Sequence, residues 1–182
     1  LYSLSKLTNE YFAKSMSKSM NTKIVGLRFF TIYGPWGRPD MLIMKYLIAS
    51  KKNIDFLLYN NGDHFRDFTY IDDAVDICES LLYKKIKKNF DIFNICSSKP
   101  LHITKVIKQI KKYVKKPKIL KKPRDKADGY KTFGSNKKIN SFLKQRIRLP
   151  IIKKELKLHV IGFLRTTNSY KKNIFIYFKG LR

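Results

Sequence analysis

The chain has 182 residues, 43% hydrophobic and 14% aromatic, enough for a packed core and too apolar for a disordered polymer. Its two cysteines, Cys78 and Cys96, exclude a disulfide framework and lack metal-ligand spacing, which fits a reducing cytoplasm. The formal charge of +27 suggests nucleic acid, but it is uneven: residues 1–104 hold 15 Lys+Arg against 10 Asp+Glu, and residues 105–182 hold 25 against 3.

Tyr2-Ser3-Leu4-Ser5-Lys6 opens a helix predicted over residues 3–20, with Leu4, Leu7, Tyr11 and Phe12 at helical spacing and Asn21 as its stop. A buried-type strand is expected over 22–30. A rigid loop follows, Gly34-Pro35-Trp36-Gly37-Arg38-Pro39. The pattern then predicts a helix over 41–50, a strand over 54–58, a turn at Asn60-Asn61-Gly62-Asp63 and an extended stretch over 65–70. A helix over 71–83 carries Asp72 and Asp73 in its first turn, where the macrodipole favours anions. A strand over 91–96, an amphipathic helix over 103–114, a short strand near 118–120 and a helix over 136–143 complete the readable part. Beyond Arg146 no element is assigned. Strands alternating with helices make this an α/β chain. No apolar run is long enough to span a bilayer, and no signal peptide is recognisable. No glycine-rich G-x-G-x-x-G turn occurs, and the chain opens on Leu1, so a fragment of a longer protein is expected.

Three segments carry chemistry. Tyr2 and Lys6 stand at i and i+4, stacked on one helix face. A phenol is a poor base at neutral pH, with a pKa of ~10; an ammonium one turn away favours the phenolate. Such a pair can take a proton from a sugar hydroxyl while hydride leaves the same carbon. In a lysine-rich chain this spacing also arises by chance. The second segment, Leu27-Arg28-Phe29-Phe30-Thr31-Ile32-Tyr33-Gly34-Pro35-Trp36-Gly37-Arg38-Pro39-Asp40-Met41, runs from a strand into a loop that presents Thr31 and Arg38. The planar fork of Arg38 suits a carboxylate or phosphate, though an ordinary crossover loop also carries surface arginines. The third, Arg66-Asp67-Phe68-Thr69-Tyr70-Ile71-Asp72-Asp73, offers Arg66 for a diphosphate; Asp72 and Asp73 read best as helix-capping residues.

In this order and character the three segments resemble extended short-chain dehydrogenase/reductases acting on nucleotide sugars, and the long middle block resembles UDP-glucuronate 4-epimerases. The resemblance runs to about Pro100. Past it, Pro123-Arg124-Asp125 has Arg124 where the family has glycine, and Thr132-Phe133-Gly134-Ser135 has Ser135 where the family has aspartate. The resemblance implies the C-terminal part of an NAD-binding Rossmann-type fold with a small α/β substrate lobe over residues 1–145, and a divergent basic tail over 146–182. It implies Tyr2 as catalytic base and Lys6 as its catalytic partner, both binding NAD, with Lys6 holding the nicotinamide ribose. It further implies Thr31 and Arg38 near the sugar carboxylate, Arg66 on the diphosphate and Asp125 on the nucleotide ribose.

The implied reaction is epimerisation of UDP-glucuronate to UDP-galacturonate at C4 through a 4-keto sugar, in a cytoplasmic homodimer that uses the helix at 3–20. Without the glycine-rich half, the chain alone is expected to be inactive. No specific nucleic-acid partner, membrane or metal is expected. Lysine, isoleucine and asparagine abundance matches AT-rich coding, and the lysines fall between helix-spaced apolar residues, as on a solvated face. Three other readings stay open: a decarboxylase or dehydratase of the same fold, a basic nucleic-acid binder, and a decayed fragment.

Overall fold

A computed structural model describes residues 1–124, 129–144, 156–157 and 159–164. In chain order the elements are α1 (Tyr2–Ser19), β1 (Ile24–Phe29), β2 (Thr31–Tyr33), α2 (Leu42–Lys52), β3 (Phe56–Tyr59), β4 (Phe65–Arg66), β5 (Phe68–Tyr70), α3 (Ile71–Leu82), β6 (Phe90–Ile95), β7 (Leu101–His102), α4 (Ile103–Ile110), β8 (Ile119–Lys122) and α5 (Lys137–Leu143). They divide into two compact units interleaved along the chain. The first comprises residues 1–32, 67–100 and 132–149; the second comprises 33–66, 101–131 and 150–182.

In the first unit, β1 and β6 pair in parallel, Ile24 opposite Phe90 through Phe29 opposite Ile95. A parallel pair must be covered on its faces, and the residues on β6 meet that need. Phe93 and Ile95 are buried against Ala74, Ile77 and Leu81 of α3 and against Ile139 and Leu143 of α5. On α3 these three positions follow the helical repeat, which turns one stripe inward. Asp72 and Asp73 are not the caps expected of them: the N-cap is Tyr70, which makes no side-chain capping bond, and the two carboxylates sit inside the first turn, where they complement the macrodipole. On α1 only Ser17 is buried. Its apolar positions Leu4, Leu7, Tyr11 and Phe12 are exposed, so this stripe does not serve the core of the unit. The helix ends as expected at Asn21, which takes the left-handed conformation with φ 46°.

In the second unit, β3 and β8 pair in parallel and β4 and β7 antiparallel. Helix α4 buries Ile103, Val106, Ile107 and Ile110 and turns Lys105 and Lys108 to solvent, as a solvated basic face requires. It is shorter than the periodicity predicts. At Lys112 and Tyr113 the N–H groups bond to Gln109 and Ile110, three residues back, so the helix tightens and stops ahead of Pro117. Tyr46 of α2 packs edge-on against Phe56 at 5.0 Å. His159, in a helical segment, is 2% exposed. Neither of its ring nitrogens has a hydrogen-bond partner among the described residues.

Two expectations are revised. Thr31 to Tyr33 is a strand rather than the start of a loop, because the Thr31 N–H donates to the Asp67 carbonyl at 3.0 Å. The stretch over 65–70 is two short strands, interrupted at Asp67, whose N–H donates to Thr132 Oγ1 at 3.1 Å.

Close approach explains Gly134. A Cβ there would lie 2.6 Å from both Cys96 Sγ and Phe30 Cζ. Gly134→Ala should therefore cost on the order of 1–3 kcal/mol, the usual cost of overpacking, measured by urea unfolding; an unchanged midpoint would show that the neighbours yield freely. Burial also sets a pH dependence. It pushes the His159 imidazole down to about 4, so the fold holds it neutral while the unfolded chain takes up a proton near the ordinary value of ~6.5. The contribution is complete above that value and is lost as pH falls from ~6.5 toward about 4. His159→Leu should flatten the thermal stability profile across this window, and a slope identical to that of the parent would refute the assignment.

Candidate active site

Helix α1 places Tyr2, Lys6 and Glu10 four residues apart on one face. Lys6 Nζ lies 5.3 Å from the centroid of the Tyr2 ring. Tyr2 is 73% exposed, so the pair is accessible to a ligand. Glu10 fastens this face to the sheet. Both of its carboxylate oxygens accept from Arg28 of β1, from Nε and Nη2, each at 2.6 Å. The hydrogen bond from Arg28 holds the Glu10 carboxyl below its ordinary value. Between α1 and β1 lies an open groove of about 780 Å³, lined by Tyr2, Ser3, Lys6, Gly26 and Arg28 among others. The tyrosine and lysine were both predicted; the clamp that orients them was not. Its one signal was Glu10 continuing the i, i+4 series.

The next constellation centres on Asp67, which is fully buried and which sequence reasoning left without a role. Its Oδ1 accepts from the Ser97 N–H at 2.8 Å and from Ser97 Oγ at 2.5 Å, and its Oδ2 accepts from the Gly134 N–H at 3.3 Å. A buried carboxylate is tolerated when its lone pairs are met in this way. Together with the backbone bonds to Thr31 and Thr132, one residue ties four segments of the first unit. Thr31, half-buried, owes its place to this knot.

The remaining predicted residues belong to the second unit. Arg38 makes a two-pronged pair with Asp40, Nε to Oδ1 at 3.0 Å and Nη2 to Oδ2 at 2.5 Å, and both side chains are mostly exposed. Hydrogen bonding from Arg38 holds the Asp40 carboxyl below its ordinary value. Arg66 donates from Nη1 to the carbonyls of Phe65 at 2.8 Å and Gly129 at 2.9 Å; this guanidinium thus braces the segment at 129–130. Asp125 lies outside the described residues. Nearby, Asp63 accepts from Tyr130 Oη at 3.2 Å and contacts His102 Nε2 at 3.2 Å. His102 in turn caps α4, its ring accepting from the Thr104 N–H. Among the described residues no group of three or more His, Cys, Asp or Glu could hold a metal ion. Likewise, none of their helices is long and apolar enough to cross a membrane.

Comparison with known proteins bears directly on this arrangement. The model of the NAD dependent epimerase/dehydratase family matches residues 1–96, the stretch that holds the Tyr2–Lys6 pair and Asp67 itself. The chain belongs to this family. It is 42% identical over 118 residues to the uncharacterized protein MJ1055 of Methanocaldococcus jannaschii, which covers 64% of this chain and 35% of that protein. It is 35% identical over 142 residues to UDP-glucuronate 4-epimerase 5 of Arabidopsis thaliana, covering 69% of this chain and 33% of that one. The chain thus spans about a third of the length of these curated relatives. Among solved structures, it resembles the UDP-glucuronic acid 4-epimerase of Bacillus cereus in complex with UDP-glucuronic acid and NAD. The TM-score is 0.79 at 24% identity, covering 91% of this chain and 52% of that one. The fold is accordingly the α/β, Rossmann-type fold of nucleotide-sugar epimerases, and the expected family is the observed one.

The Asp67 knot generates a prediction. Asp67→Asn leaves a single acceptor oxygen facing three donors, and should destabilise the protein by about 2–3 kcal/mol, given ~1.5–3 kcal/mol for hydrogen bonds to charged groups. Denaturant unfolding measures this, and a loss under ~1 kcal/mol would show that the knot is slack.

Proposed function

We propose that this chain supplies the proton-transfer pair and the substrate-side residues of a UDP-glucuronate 4-epimerase that works with NAD. The observation that carries the reading is the accessible Tyr2 ring with the Lys6 ammonium 5.3 Å from its centroid, on a helix face clamped to β1 by Glu10 and Arg28. The likeness of residues 1–96 to the family supports it, as does the 35% identity to a plant UDP-glucuronate 4-epimerase.

The residues present fit the nicotinamide end of the cofactor: an exposed phenol and ammonium beside an open groove. Lys6 would hold the ribose hydroxyls. When bound, NAD would supply reversible hydride chemistry at C4 of the sugar. Tyr2 takes the C4 hydroxyl proton as the bond to hydride weakens and gives it back as the ketone is reduced. Lys6 keeps a positive charge one helical turn from that oxygen, where negative charge develops.

Arg38 and Thr31 would bind the sugar carboxylate. The fork of Arg38 already grips a carboxylate, that of Asp40, and an exposed pair of this kind is worth little, ~0–1 kcal/mol. A substrate carboxylate can therefore take its place at small cost, and the two-pronged geometry selects for one. Arg66 would contact the diphosphate and Asp125 the nucleotide ribose. A homodimer would bury the exposed stripe of Leu4, Leu7, Tyr11 and Phe12 on α1. The relatives' extra length lies outside this chain, and the 182 residues alone are proposed to be inactive.

In the complete enzyme, NMR analysis of UDP-glucuronate turnover should find the C4 epimer, without release of CO2 or water. Arg38→Leu should raise KM for UDP-glucuronate by about 10- to 100-fold, as expected for loss of a charge-assisted bond of ~1.5–3 kcal/mol, and leave UDP-glucose binding nearly intact. Equal losses for both sugars, or a decarboxylated product, would sink this reading.

A further inference from the structure

Tyr33 is buried, and the chain turns sharply after it. The Gly37 N–H donates to the Gly34 carbonyl at 3.1 Å, which makes Gly34 to Gly37 a β-turn with Pro35 second and Trp36 third. Proline suits the second position. The third puts Trp36 at φ 61°, the left-handed conformation that such turns reserve for glycine or asparagine. For a bulky aromatic residue it is a strained outlier.

The surroundings hold Trp36 in this state. A Cβ on Gly37 would meet the Gly34 carbonyl oxygen at 3.1 Å and Met44 Cγ at 3.4 Å. The turn is therefore packed closely onto α2, which is itself anchored by buried Ile43, Tyr46 and Leu47. The strain is not offset by burial, because Trp36 is 88% exposed. Such a residue lowers stability twice, through its backbone and through apolar surface left in water. Glycine at this position would do neither. Two residues on, Arg38 grips the Asp40 carboxylate in its fork, and both groups are mostly exposed. Two residues of chain span at most roughly 7 Å, so indole and fork rise from neighbouring points, about as far apart as a hexose ring and its C6 substituent. All of these residues belong to the second unit.

We propose that Trp36 is a specificity residue for uronate sugars: one face of the pyranose ring lies on the indole while the sugar carboxylate displaces Asp40 from the Arg38 fork. The C–H groups on a pyranose face are apolar and weakly positive, and the face of an indole is negative, so the two stack without a hydrogen bond. The fork by itself accepts any carboxylate. The indole beside it adds the requirement for a flat, C–H-bearing ring attached to that carboxylate, which selects a hexuronate over a simple acid anion. Nucleobases also stack on aromatic rings; the carboxylate fork two residues away favours the sugar over the base. The inference rests on the UDP-glucuronate reading of this loop and adds to it the residue that reads the ring.

Trp36 is the single tryptophan of the chain, so indole emission reports on this position alone. In the 182-residue chain, UDP-glucuronate should quench that emission saturably. UDP-glucose should do so at concentrations at least ~10-fold higher, and UMP should leave the emission unchanged. Calorimetry follows binding where the fluorophore is replaced. Trp36→Gly should weaken UDP-glucuronate binding about 10-fold yet raise the unfolding temperature by about 2–4 °C, and Trp36→Phe should recover most of the affinity. Loss of affinity together with loss of stability would mark Trp36 as structural and overturn the proposal. Binding of UDP-glucuronate by calorimetry without an indole response, or quenching by UMP as strong as by the sugar nucleotide, would overturn it too and leave the UDP-glucuronate reading in place. No binding of UDP-glucuronate by either method removes that reading and the stack with it. Saturable quenching by UDP-glucuronate in an enzyme whose product is not the C4 epimer would keep the stack and remove the epimerase reading.

Discussion

A buried carboxylate, that of Asp67, holds the first unit together. Among the described residues its side-chain oxygens accept from the Ser97 hydroxyl and from the backbone N–H groups of Ser97 and Gly134. A buried ion survives only when its lone pairs are saturated, so the segments that supply those donors must all arrive in register. This requirement makes Gly134 necessary, since its backbone must come close enough to donate and leaves no room for a Cβ beside Cys96 and Phe30. It also fixes β2, whose first residue, Thr31, bonds to the Asp67 carbonyl. Thr132, in a segment that departs from the family pattern, still takes part by accepting the Asp67 N–H.

A charge contact also orients the face of α1 that carries Tyr2 and Lys6. Helix α1 buries almost nothing, so packing alone would let it slide or rotate over the sheet. The two-pronged Glu10–Arg28 pair removes that freedom, because a planar guanidinium meets a carboxylate in one geometry. Tyr2 and Lys6 stand two turns and one turn before Glu10 on the same face. Their direction toward the groove over β1 follows from the helical repeat once the clamp is made. An exposed pair contributes little stability; here it sets orientation.

The two arginines singled out for ligand binding are engaged differently. Arg38 holds the neighbouring Asp40 carboxylate in a solvent-exposed loop, the geometry in which a planar fork meets a carboxylate. Arg66 is turned onto backbone carbonyls at Phe65 and Gly129, and so organises the chain around it. The basic excess of the later residues takes no part in either. On α4 the lysines lie on the solvent side while the isoleucines fill the core, which is the distribution a solvated face would have.

Much of this was readable from local pattern. The order of helices and strands, the stop at Asn21, the buried stripe of α4 and the Tyr2–Lys6 pair all follow from periodicity and spacing, because each depends on residues within a turn or two of one another. The family was readable too, since three motifs in order carry more information than any one of them. What local pattern left out depends on residues far apart in the chain. Asp67 meets Gly134 across 67 positions, Glu10 meets Arg28 across 18, and β1 meets β6 across some sixty residues of intervening chain. No propensity encodes such pairings; they arise when the chain closes on itself and buried polar groups must find partners or pay for their lost water.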